Sequence, residues 1–113
     1  MNTRFSENEI RFRINRSEME SLLSGHRIHL QLDLPDQEGY QFRIHPLTDP
    51  VENDRPLSLT VRERLIELGV GVEELKSLSR RLPSKEGLTT ELPSRSGKQL
   101  LRVALEIDLK DRS

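Results

Sequence analysis

"HRIHLQLDLPDQEGYQFRIHP", residues 26–46, reads as two strands joined by a turn. Successive side chains of a strand point to opposite faces. Ile28, Leu30, Leu32 and Leu34 therefore share one face, and Arg27, His29, Gln31 and Asp33 the other. "PDQEG", residues 35–39, supplies turn chemistry. Tyr40, Phe42 and Ile44 then resume the alternation against Gln41, Arg43 and His45. The spacing predicts an antiparallel hairpin, 26–34 with 39–45, having one apolar and one wet face. Pro46 ends the second strand or kinks its edge.

The same pattern extends in both directions. Upstream, Ile10, Phe12 and Ile14 alternate with Glu9, Arg11 and Arg13, which predicts a strand over 9–14. Ser17 and Glu20 have capping-box spacing before a short helix, and Gly25 stops it. Downstream, "PLTDPVENDRP", 46–56, is expected to be a loop, and Leu57, Leu59 and Val61 a brief strand. Thr60 and Glu63 offer a second capping box ahead of "VRERLIEL", read as a helix ended by Gly69. Val72, Leu75, Leu78 and Leu82 predict a further helix, terminated at Pro83. The last strands fall at 87–92 and 99–109, with Val103, Leu105, Ile107 and Leu109 facing the core and 111–113 a frayed tail.

The expected order is β-α-β-β-β-α-α-β-β. This is an α+β fold with one mainly antiparallel, curved sheet of five to six strands and two or three short helices on one face. A length of 113 residues suits a single domain, 1–113, and the reading finds no internal repeat. Eighteen basic against nineteen acidic residues leave a net charge of −1, which gives no general pull toward nucleic acid or anionic lipid. The chain has no cysteine, so thiol chemistry is excluded. Residues 1–16 hold no apolar leader, and no apolar run is long enough to cross a bilayer.

Both ends resemble a bacterial family of small domains of unknown function. "IRFRI" (10–14) followed by "RSEMESLLSG" (16–25) is similar to that family's opening Ile-Arg-x-Arg-Leu strand and Ser-Glu-Val helix ending in Gly. "GLTTELPSRSGKQLLRVALEIDL" (87–109) resembles its closing hairpin, with Ile107 where the family carries Lys and Leu109 where it carries an aromatic. The resemblance implies the fold boundaries, a bacterial origin and no activity; the lack of an apolar leader or spanning run makes a cytoplasmic setting the default expectation.

Several residue groups could carry chemistry. Glu7-x-Glu9-x-Arg11 resembles the Glu-x-Glu-x-Lys strand of triphosphate-tunnel enzymes, with Arg in place of Lys. In that alternative, acids hold a metal and arginine forks hold phosphate oxygens. Ordinary cross-strand pairing explains the same charges at lower cost. His26, His29 and His45 are too few to complete a metal site without cysteine, so no metal or cofactor is assigned. A helix-turn-helix over 61–82 would begin its second helix with Glu73 and Glu74, which repel phosphate, so nucleic acid is disfavoured. The Arg80, Arg81 and Lys85 cluster does not alter that.

The leading expectation is a non-enzymatic protein-interaction or binding module. Its candidate ligand face is Glu9, Arg11, Arg13, Arg27, His29, Arg43, His45, Arg102 and Glu106, with no catalytic residue assigned. The apolar-rich 61–82 region, read as helical, is the expected surface for a protein partner or a second copy.

Overall fold

The computed structural model describes residues 1–35, 37–48, 55–84 and 86–109. The expected 46–56 loop lies mostly outside the described residues, as do the 111–113 tail and Lys85. The elements are β1 (Asn2–Ser6), β2 (Glu9–Asn15), α1 (Arg16–Leu23), β3 (Ile28–Leu34), β4 (Gln37–Leu47), β5 (Leu57–Arg62), β6 (Leu65–Gly71), α2 (Val72–Arg80), β7 (Leu88–Pro93) and β8 (Leu100–Asp108). The α+β class stands. The single antiparallel sheet does not: the eight strands form two four-stranded mixed sheets, ordered β1-β2-β8-β7 and β3-β4-β6-β5.

The hairpin at 26–46 forms with the expected faces, pairing Ile28 with Ile44 and Leu32 with Tyr40. β4 runs on through Pro46, which pairs with Val70. The proline is tolerated there because β3 has already ended, so no strand on that side needs its missing N–H.

The predicted helix at 61–68 is instead half of a β-hairpin. Arg62 pairs with Leu65 across a two-residue turn, and Glu63 takes a positive φ of 49°. Apolar residues at 57, 59, 61 and at 66, 68, 70 satisfy a period of two on both sides of that turn. β6 lies between β4 and β5, and this burial decides the ambiguity. The turn has no glycine to announce it. Strand β1 was also absent from the expected order, since "NTRFS" contains one large apolar residue.

The first helix begins two residues earlier than its predicted box. Asn15 is the N-cap: its Oδ1 accepts from Glu18 N at 2.7 Å, and a Glu18 carboxylate oxygen accepts from Asn15 N at 3.0 Å. At the other end Gly25 N donates to Leu22 O and His26 N to Ser21 O, a paired closure that requires the Gly25 φ of 91°.

The whole arrangement is an internal duplication. The unit β1-β2-α1-β3-β4 is followed by an equivalent unit, β5-β6-α2-β7-β8. Phe5 opposite Ile10 becomes Val61 opposite Ile66, and Thr3 opposite Phe12 becomes Leu59 opposite Leu68. Each unit lends its last strand to the other's sheet in parallel: β8 beside β2 and β4 beside β6. Even the supporting bonds recur, Arg102 N to Asn8 O and Gln41 N to Arg64 O, both 2.8 Å. The expectation of no repeat is thereby corrected. Little more than Ile10/Ile66, Glu18/Glu74, Ser21/Ser77 and Leu22/Leu78 coincide between the first strands and helices of the two units, too few to register as similarity.

The core lies between the sheets. Equivalent positions are buried together: Phe12 with Leu68, Ile14 with Val70, Met19 with Leu75, Leu22 with Leu78, Ile28 with Leu88, and Ile44 with Leu105. Both helices follow strands that run the same way, so α1 and α2 pack together and close one end. The four hairpin connections gather at the other end. Leu68, Val70, Leu75 and Leu78 are fully buried within this core. The 61–82 region is therefore the end of β5, β6 and one helix rather than a helical pair, with Val61 still exposed, and no helix-turn-helix exists there.

Candidate functional site

The outer face of the first sheet carries a ladder of alternating charge. Register sets it: Glu9 lies opposite Arg102, Arg11 opposite Ala104 and Arg13 opposite Glu106. Glu9 reaches Arg102 at 3.5 Å and Arg11 at 3.2 Å, and Glu106 reaches Arg11 at 3.6 Å and Arg13 at 3.7 Å. Ala104 sits beneath them on this wet face yet is 1% exposed, because the long side chains close over it. Glu7 stands apart, exposed in the β1–β2 turn.

The remaining candidates belong to the second sheet. His29 lies opposite Arg43, and Arg43 opposite Glu67. Glu67 receives Arg43 at 3.2 Å and has His45 Nδ1 at 3.8 Å. Arg27 is exposed just before β3. The two sheets turn these faces away from each other. Glu9, Arg11, Arg13, Arg102 and Glu106 thus form one group, and Arg27, His29, Arg43 and His45 another. Among the described residues no three His, Asp or Glu side chains gather as a metal would require.

The ladder is only partly screened, since its acids are 14–26% exposed and its arginines 35–44%, and its ion pairs add modest stability. Glu106→Gln, which removes the mostly buried acid between Arg11 and Arg13, is expected to lower stability by about 1–2 kcal/mol, with part of the difference fading as salt rises. Urea unfolding at low and high ionic strength checks this.

Clefts occur at both ends. One of about 400 Å³ lies beside the hairpin turns, lined by Gln31, Glu38, Gln41, Arg62, Arg64 and Leu65. Another of about 380 Å³ lies near the helical end, between Arg13, Ser84, Glu106 and Asp108. Neither contains a histidine.

The hairpin end carries a different kind of surface. Phe5, Leu32, Tyr40 and Val61, all on inward-facing strand positions, are exposed there, at 57, 46, 37 and 60%, whereas exposed Leu100 shares the outer face with Arg102 and exposed Leu109 lies at the helical end. Phe5 touches Phe42 with ring centroids 5.8 Å apart, and Arg64 lies over the Tyr40 ring at 5.6 Å. Sequence reasoning placed Leu32 and Tyr40 on the core face correctly. It could not show that this part of the face projects beyond the opposing sheet. A third helix would have been needed to cover it, and α1 and α2 both sit at the far end.

A family model described as "Family of unknown function (DUF7009)" matches residues 1–111. No curated protein and no solved structure matches the chain. Among the described residues no helix is long and apolar enough to cross a membrane.

Proposed function

We propose, for a chain that belongs to the DUF7009 family, that it is a protein-interaction module whose contact surface is the hairpin end. One observation carries this reading. The two helices cap one end of the apolar interior, while the other end leaves four large apolar side chains, Phe5, Leu32, Tyr40 and Val61, exposed. Clustered apolar exposure on a small domain marks a contact surface far more often than scattered single residues do. The charged ladder supports the same reading from the other side. Its guanidinium groups, which would have to hold phosphate in a phosphohydrolase, already face Glu9 and Glu106.

Position-specific photocrosslinking in cells tests it. A photoreactive residue at Leu32 is expected to give a discrete protein adduct. The same residue at Thr89, on the outer face of the first sheet, is expected to give none. The Leu32 adduct should disappear with Val61→Asp. Equal yields at the two positions, or no adduct at either, would remove the hairpin end as the contact surface.

A further inference from the structure

The charges around the hairpin end are sorted by unit. Among the described residues of the first unit's turns, 6–8 and 33–39, the charged side chains are Glu7, Asp33 and Glu38, with no lysine or arginine. The turns of the second unit, 62–65 and 93–100, carry Arg62, Arg64, Arg95 and Lys98 against the single acid Glu63. Strand order fixes where these lie. β1 and β2 occupy one half of the first sheet, and β3 and β4 the same half of the second, since β5 lies beside β7 on the opposite side. The rim of the apolar end is therefore acidic on one side and basic on the other.

Where the halves meet within one molecule they already pair: Arg64 Nε lies 3.6 Å from a Glu38 carboxylate oxygen, and its Nη1 donates to Glu38 O at 2.8 Å. Glu9, directly after the β1–β2 turn, also pairs across the halves with Arg102 at 3.5 Å, whereas Glu7 and Asp33 have no cation within ion-pair distance among the described residues.

We infer that the occupant of the hairpin end is a second copy of this chain, docked end to end about a twofold axis that lays the acidic half of each rim on the basic half of the other. This rests on the proposed interaction surface and names its partner. A twofold contact uses the same patch twice, so the patch must complement itself. A rim of one sign would repel its copy, whereas a rim split between signs matches it in one orientation. The apolar centre, Phe5, Leu32, Tyr40 and Val61, would supply the desolvated contact, and the sorted charges the orientation.

Sedimentation equilibrium of the full chain, from micromolar to millimolar concentration, reads the association. The wild type is expected to be a monomer–dimer equilibrium that weakens with salt. Leu32→Arg should leave a monomer throughout. Glu7→Lys with Glu38→Lys makes the rim basic, and Arg95→Glu with Lys98→Glu makes it more acidic. Each variant alone should be monomeric at concentrations where the wild type is dimeric, and an equimolar mixture should recover a dimer containing one of each. Circular dichroism confirms folding; these positions are exposed, so the transitions should stay close to wild type. A wild type that remains monomeric at millimolar concentration overturns the inference, as does a dimer indifferent to Leu32→Arg or a mixture that stays monomeric. Such a failure is distinct from failure of the interaction surface itself, because a Leu32 photoadduct with a different protein would survive it.

Discussion

Leu22→Ala and Leu78→Ala are each expected to destabilise the chain by about 2–5 kcal/mol. The two leucines occupy equivalent positions on α1 and α2, and both are 0% exposed. Each helix is short, eight residues in α1 and nine in α2, so neither is stable by its own propensity. Docking on the sheet interior holds them in place, and truncating the central apolar side chain removes burial and leaves a cavity. Domains of this kind have total stabilities of about 5–15 kcal/mol, so the loss is a large fraction. The melting temperature should fall by roughly ten degrees or more. Urea unfolding of both variants measures it. A loss below about 1 kcal/mol in either would mean that its helix does not close the core as the duplication requires.

The second large effect comes from a glycine. Gly87 precedes β7 with a φ of 66°, and a methyl group there would overlap the carbonyl oxygen of Leu105. Gly87→Ala thus combines left-handed strain with a collision against backbone, and the β7–β8 ladder must shift to relieve it. A loss above about 3 kcal/mol is expected. Gly25→Ala supplies the comparison. Its φ of 91° is as unfavourable, but nothing lies within 4 Å of an added methyl group, so strain alone operates. That variant should lose about 1–2 kcal/mol. Equal losses in the two would show that Leu105 moves aside freely and that the close approach carries no energetic weight.

The parts of the fold legible in the sequence were those governed by local periodicity. The 26–46 hairpin, β2, α1, α2, and the β7–β8 pair all followed from alternation, caps and stops. Two failures have distinct physical causes. At 61–68, apolar residues at 61, 65, 66 and 68 suit a helix face as well as a strand, and only pairing with β4 and β5 breaks the tie. The Ser17–Glu20 box lost to Asn15–Glu18, which closes a reciprocal pair of bonds directly at the strand end.

The candidate face was half legible. Parity along each strand identified the outward residues correctly, from Glu9 to Glu106. It could not say which strands are neighbours. Glu106 joins Arg11 and Arg13 because β8 lies parallel to β2, ninety-odd residues apart in the chain. His29, Arg43 and His45 went to the other sheet for the same reason. The hairpin end escaped notice because its residues look like core in sequence. Exposure depends on what stands opposite, and that is a property of the assembled sheets.

The amino-acid sequence by itself determined the class, the in-and-out parity of most strands, and the positions of both helices, because these depend on residues within a few positions of one another. Tertiary structure alone decided the two-sheet division, the exchange of β4 and β8 between the repeated units, and the open apolar end. Those features depend on strand partners far apart in the chain, and many pairings satisfy the same alternation equally well. The choice among them is made only when all the apolar faces must be buried at once.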